Sequence, residues 1–178
     1  MIKISNNQIA IRNFLKKDIP LKVEMINKKD NNKFLHYDLP LKEEKTLAWF
    51  ENAKNDTSRL DLTILYDDKI AGMIGLLNID KRNKKAEYYI CVDKAFSGKG
   101  IGTIASNLLF EYAFDKMKLN KIYLFTEKNN IIAQRLFEKL GFRKEGLLKD
   151  DMIYNDKLIN RFAYGLCRDE YYAKNNYS

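Results

Sequence analysis

The sequence predicts one α/β domain spanning residues 1–178, with strands and helices in the order β-α-α-β-β-β-α-β-α-β-β. Three observations predict it. From Ile101 to Met117, apolar residues recur at three- and four-residue intervals, the mark of an amphipathic helix. Between Asp61 and Val92, three runs rich in β-branched and aromatic residues are separated only by short polar turns, the mark of an antiparallel meander. No repeat, low-complexity segment or Pro/Gly-rich linker divides the chain, and a chain of this length buries roughly two-thirds of its unfolded surface.

In chain order, Gln8 to Phe14 reads as the first strand. Asp18-Ile19-Pro20 opens a helix to about Lys28, with Asp18 as N-cap and proline where a missing amide costs nothing. Phe34-Leu35-His36-Tyr37 is an apolar patch without a readable period. Leu41, Thr46, Leu47, Phe50 and Ala53 give a second helix. The runs Asp61–Tyr66 and Ile70–Ile79 flank Asp67-Asp68-Lys69, a tight hairpin signal, and Ala86–Val92 follows as a third meander strand. After the long helix, which Asn120 ends, come a strand at Lys121–Thr126 and a helix capped by Asn129-Asn130. That helix turns Ile132, Ala133, Leu136, Phe137 and Leu140 inward and closes on Gly141 as its C′ residue. Strands near Phe142–Leu148 and Leu158–Arg168 finish the fold.

Composition narrows the function. With 46% hydrophobic and 12% aromatic residues, the chain is globular. It holds no apolar run of ~18 residues, and its first residues lack the apolar core of a secretion signal, so a cytoplasmic protein with no membrane partner is expected. Cys91 and Cys167 match no metal spacing; free thiols and no metal are expected. The net charge of +8 favours anionic ligands, but the lysines and arginines are scattered, which speaks against a nucleic-acid stripe. Exposed strand edges and the tyrosines 164, 171, 172 and 177 admit a homodimer as well as a monomer.

One segment carries chemistry. Ser97-Gly98-Lys99-Gly100-Ile101-Gly102 joins the third meander strand to the long helix. Glycines let the backbone take positive φ and approach a ligand, and successive amides then converge at a helix N-terminus, an arrangement suited to a pyrophosphate. A P-loop is excluded, because Ser or Thr does not follow Gly-Lys at the required place. A dinucleotide-binding turn would follow the first strand of a parallel unit, whereas a meander precedes this one. Taken alone, the glycine pattern is weak evidence, since glycine-rich strand-to-helix turns also occur for packing reasons.

The later segment Asn130-Ile131-Ile132-Ala133-Gln134-Arg135-Leu136-Phe137-Glu138-Lys139-Leu140-Gly141-Phe142 resembles the second cofactor motif of the GNAT superfamily of N-acetyltransferases. It lies about thirty residues after a turn that resembles the first. Glu145-Gly146 and Arg168-Asp169-Glu170 are similar to the branch with spermidine, ribosomal-protein and amino-sugar acetyltransferases, and the resemblance runs from about Ile9 to Tyr171. It implies a mixed, mostly antiparallel sheet of six to seven strands, splayed at its centre between Ala86–Val92 and Lys121–Thr126 and flanked by about four helices. Acetyl-CoA would lie in the splay. By this resemblance the backbone of Ile90, Cys91 and Val92 would pair with the pantetheine arm. The amides of Gly98, Lys99, Gly100, Ile101, Gly102 and Thr103 would hold the pyrophosphate. Asn130 would bond the pantetheine or thioester end, with Ala133 and Phe137 walling the channel.

Acetyl transfer needs a neutral amine, a stabilised oxyanion and a proton for the thiolate. Glu87 matches the glutamate that many relatives use as base, and partial desolvation raises such a carboxyl toward useful basicity. An amide near Ile90 or Cys91 suits the oxyanion. Phe137 stands where many members carry the tyrosine that protonates the thiolate; another tyrosine such as Tyr89 or Tyr123, or water, would replace it, or the thiolate would leave unassisted. Ser97 stands where arginine or glutamine is commoner. His36, Tyr37 and Tyr89 are the acceptor-side candidates. The expected acceptor is a small anionic amine such as a nucleotide-linked amino sugar. A protein N-terminus, a polyamine and a non-catalytic acyl-CoA-binding role are the alternatives.

Overall fold

In a computed structural model, which describes residues 2–175, the chain forms one eight-stranded sheet with six α-helices. The strands are β1 (Lys3–Asn6), β2 (Ile9–Asn13), β3 (Leu60–Tyr66), β4 (Lys69–Asp80), β5 (Lys85–Val92), β6 (Lys121–Glu127), β7 (Arg143–Tyr154) and β8 (Lys157–Cys167). The helices are α1 (Ile19–Asn27), α2 (Lys29–Asn32), α3 (Glu43–Ala53), α4 (Ile101–Glu111), α5 (Ile131–Leu140) and α6 (Arg168–Asn175). Spatial order is β1-β2-β3-β4-β5-β6-β8-β7, and every pairing is antiparallel except β5 with β6.

The mixed, mostly antiparallel sheet is the expected one, with more elements. β1 adds a hairpin at the sheet edge around Asn7, whose φ of 51° only a short polar side chain takes easily. The last strand stops at Cys167, and Arg168-Asp169-Glu170 begin α6 rather than end a strand. The β3–β4 turn is as tight as its sequence demands, with Asp67 and Asp68 at φ 47° and 60°, the left-handed pair that matches strand twist. The long helix ends early: α4 passes into a π-turn at Tyr112–Lys116, and Lys118 at φ 57° breaks the chain before Asn120.

Period-two alternation sorts side chains onto two faces. Ala86, Tyr88, Ile122 and Leu124 enter the larger core with Ile101, Leu109 and Phe137 of α4 and α5. Burying each large side chain there contributes roughly 1.5–3 kcal/mol. Met73, Tyr89 and Cys91 face the other way, toward Ile19, Met25 and Ile26 of α1 and Trp49 and Phe50 of α3.

Two local readings are corrected. Asp18 does not cap α1; its buried carboxylate accepts two bonds from Arg12 (2.6 and 2.8 Å), one from the Leu15 amide and one from Thr63, so it ties the helix to the sheet instead. Burial alone would raise this carboxyl, but the Arg12 guanidinium and the other donors outweigh it and hold it below its usual range. Ile132 is 84% exposed, because the inward stripe of α5 runs through Ala133, Gln134, Phe137 and Leu140. Tyr164 and Tyr171 are buried in the core, and the half-buried Tyr172 donates to Asp115; Tyr177 lies outside the described residues. Among the described residues no helix is long and apolar enough to cross a membrane.

Candidate active site

The glycine turn is built as its sequence requires. Asp93 ends β5 and accepts from the Ala95 amide, Asn31 and Lys28, which pins the α1–α2 junction to the start of the turn. A 3-10 turn at Lys94–Phe96 follows, and Gly98 and Gly100 then adopt φ of 79° and 72°. A Cβ added at either would meet no atom within 4 Å, so these glycines serve backbone conformation and leave space above the turn. Gly102 differs: a Cβ there would make ordinary van der Waals contact with Leu136 at 3.4 Å, so this position faces α5 and not open space. Among the described residues, none of the amides of Gly98, Lys99, Gly100, Ile101, Gly102 and Thr103 donates to another part of the chain; the first paired one is Ile104, to Gly100. Six free donors at a helix mouth form an anion cradle.

Beside the cradle the sheet parts. β5 and β6 pair only at Lys85–Lys121, Ala86–Ile122 and Glu87–Tyr123, after which both strands continue without each other. The Asp93 amide donates to Ala71 on β4, so the period of two turns the backbone of Cys91 toward β4 and that of Ile90 and Val92 into the gap. Two of the three expected backbone partners therefore face the opening, and Cys91 does not. Its thiol lies on the α1–α3 side, pushed up to about 11 by burial.

Across the gap, Asn130 caps α5 by accepting from the Ala133 amide at 3.3 Å, so its side-chain oxygen serves the helix while its side-chain nitrogen makes no bond among the described residues. Ala133 is half-buried at the same helix start. Phe137 is no channel wall: it is 7% exposed and enclosed by Tyr88, Phe142 and Tyr164.

On the α1–α3 face, the strand beyond the parting forms one wall of a cavity of about 520 Å³. His36, Tyr37 and Tyr89, expected on the acceptor side, all line it, as do Ile90 and Cys91. The sequence alone did not single out Lys22, Lys45, Trp49 and Arg59, which line it too. Lys22 is 9% exposed and makes no hydrogen bond or ion pair among the described residues; its ammonium stands 3.7 Å from the Trp49 ring centroid. Burial pushes that ammonium down to about 8. Arg59 bonds both oxygens of Asp61 (2.6 and 2.9 Å), and the Tyr89 hydroxyl donates to the same carboxylate at 2.7 Å. Burial raises the Tyr89 phenol well above its ordinary value, so it is a fixed donor and a poor proton source. No aspartate or glutamate lines the cavity among the described residues. His36 Nε2 lies 2.8 Å from Glu127 at the end of β6, so the loop before α3 reaches across the parting.

Glu87 stands elsewhere. It stands at the last β5–β6 pair before the parting, accepts from Asn78 at 2.8 Å, and lines a second cavity of about 540 Å³ together with Tyr123. Neither Glu87 nor Tyr123 reaches the wall that holds His36 and Lys22.

A sheet parted at one parallel pair, with free amides at the helix beside the parting, is the α/β architecture that the family resemblance implies. Residues 8–143 match the GNAT acetyltransferase domain, and the chain belongs to that family. YdaF of Bacillus subtilis (strain 168), which carries a ribosomal N-acetyltransferase name, is 34% identical over 116 residues, covering 65% of this chain and 63% of its own. The spermidine N(1)-acetyltransferase of Escherichia coli (strain K12) is 30% identical over 120 residues, covering 67% and 64%. The chain thus spans just under two-thirds of the length of these relatives. The spermidine N-acetyltransferase of Vibrio cholerae, solved with CoA and spermine, superposes with a TM-score of 0.86 over 94% of this chain and 99% of that one. At 20% identity, that likeness shows the shared fold.

Proposed function

We propose that this chain transfers the acetyl group of acetyl-CoA to a primary amine on a small anionic acceptor, in a ternary complex. The observation that carries the transferase reading is the row of six unpaired amides at the mouth of α4, next to the strand edge of Ile90 and Val92. Those groups fit the coenzyme: the amides and the macrodipole suit a diphosphate, the open edge suits an amide-bearing arm, and the room above Gly98 and Gly100 admits both. Bound there, the coenzyme supplies an activated thioester. The chain's own groups hold it, align the acceptor in the adjoining cavity and exclude water. The backbone amides of Ile90 and Val92 are the groups available to stabilise an oxyanion.

The acceptor class rests on the cavity lining. The described lining residues include three cations, Lys22, Lys45 and Arg59, and no carboxylate; Arg59 is neutralised by Asp61, so Lys22 and Lys45 are the charges left to disfavour a polycation and attract a carboxylate or phosphate. The net charge of +8 acts in the same direction. Trp49, Phe34 and Leu35 supply a flat apolar surface for a sugar or aliphatic body. A polyamine acceptor is the second reading, favoured by the name of the Escherichia coli relative.

A thiol-release assay with acetyl-CoA separates these readings. Amino acids, nucleotide-linked and free amino sugars, N-terminal peptides and polyamines are offered in parallel. The anionic amines are expected to turn over and spermidine to lag by at least an order of magnitude in kcat/KM. Spermidine as the best acceptor would replace the anionic reading. Release with none, alongside measurable acetyl-CoA binding, would leave a binding module.

A further inference from the structure

We infer that His36, oriented by Glu127, is the group that takes the proton from the acceptor amine. The inference rests on the transferase reading above but not on the acceptor's identity.

The geometry is that of a base held by a carboxylate. His36 Nε2 lies 2.8 Å from Glu127 Oε1, and an ionised carboxylate only accepts, so Nε2 carries a hydrogen and the lone pair of the neutral ring is at Nδ1. The ring is held edge-on to Tyr154 at 5.0 Å between centroids, and Tyr154 donates to the Tyr37 carbonyl, so the loop cannot turn the ring freely. Among the described residues no bond occupies Nδ1, and the ring lines the acceptor cavity.

The other lining groups do not serve. Lys45 and Arg59 are cations, and burial raises the Tyr37 and Tyr89 phenols and the Cys91 thiol away from neutrality. Glu87 opens on the other cavity. Only Lys22, lowered to about 8, competes, and it is cationic over most of the neutral range. Among these side chains the imidazole alone is a base held in place by a carboxylate partner.

In the step itself, the acceptor ammonium gives one proton to Nδ1, which exposes the nitrogen lone pair. The C–N bond then forms as the thioester C–S bond breaks. The second amine proton goes to the departing thiolate through solvent, and the imidazolium discharges its own to water. The groups facing the ring are Glu127 from β6, Tyr154 from β7 and Tyr37 from the loop. Across the cavity stand Lys22 from α1, Lys45 from α3, Arg59 ahead of β3, and Tyr89 and Cys91 from β5.

Two measurements test the inference. In the first, kcat/KM is followed against pH for the wild type, His36→Asn, Glu127→Gln, Glu127→Leu, Lys22→Met and Glu87→Gln, with acetyl-CoA affinity and melting temperature as controls for folding. His36→Asn is expected to lose about a hundredfold or more and the acid limb with it, at unchanged acetyl-CoA affinity. Glu127→Gln, which keeps an acceptor, should lose less than Glu127→Leu, mainly in kcat, while Lys22→Met and Glu87→Gln keep the limb. Near wild-type rate and limb in His36→Asn, or their loss in Glu87→Gln alone, would overturn the assignment. The second measurement needs no turnover. His36 is the chain's one histidine, so its ring nitrogens give a single pair of 15N resonances. Above neutrality Nδ1 is expected to be the unprotonated nitrogen, with the preference weakened in Glu127→Leu. An Nδ1–H ring would refute the base, whereas absent thiol release with this tautomer intact would count against the transferase reading only.

Discussion

Lys22 joins sequence, burial and function most directly. An ammonium 9% exposed, resting on Trp49 and without an ion-pair partner among the described residues, costs the fold free energy that the ring and the charge of Asp61 offset only in part. Its value of about 8 lies below the 10.5 of a free lysine, so the unfolded chain binds the proton more tightly and stability rises with pH between those values. Replacing Lys22 by Met should therefore raise the melting temperature by several degrees at pH 6–7, with an advantage on the order of 2–3 kcal/mol that fades from pH 8 to about 10.5. The same variant should raise KM for an anionic acceptor roughly tenfold, the usual worth of a hydrogen bond to a charged group. Thermal melts across pH and steady-state kinetics check both. A gain in stability with no loss in KM would remove Lys22 from the acceptor site.

For the elements, the turn between β5 and α4 is the most informative. Gly98 and Gly100 sit at positive φ with nothing near their Cβ positions, so Gly100→Ala costs the fold only backbone strain, about 1–2 kcal/mol. The ligand suffers more, because relaxation of that strain turns the amides away. Calorimetry with coenzyme A should show affinity falling by about tenfold or more while far-ultraviolet dichroism is unchanged. Unaltered affinity would make the glycines packing residues, the alternative that the glycine pattern alone leaves open. This turn was legible in the sequence because all its determinants are local: glycine spacing, a strand before it, a periodic helix after it. The hairpin at Asp67-Asp68 and the C-cap at Gly141 were legible for the same reason. Asp18 and Ile132 were misread where tertiary partners override local preference: Arg12 and Thr63 draw the carboxylate off its helix, and the stripe of α5 is set by what it packs on. The acceptor wall was legible only at His36, Tyr37 and Tyr89. Lys22 and Arg59 reach it from two separated segments, and the His36–Glu127 contact beside it spans 91 positions, which no local pattern encodes.

Taken whole, the molecule's charge becomes a kinetic property. A net charge of +8 on a chain whose acceptor cavity is lined by cations attracts anions over distances set by salt, about 30 Å at 0.01 M ionic strength and about 8 Å at 0.15 M. Raising ionic strength through that range should lower kcat/KM for an anionic amine several-fold, chiefly through KM, because encounter and not chemistry is screened. A polyamine should respond in the opposite sense, since salt relieves its repulsion. The two slopes can be measured on one preparation with one detector for released thiol, so acceptor concentration and enzyme activity cancel between them. Opposite signs would tie acceptor choice to the field of the whole chain. Parallel slopes would confine that choice to contacts inside the cavity, and Lys45 at its exposed rim would then carry no more weight than the other surface lysines.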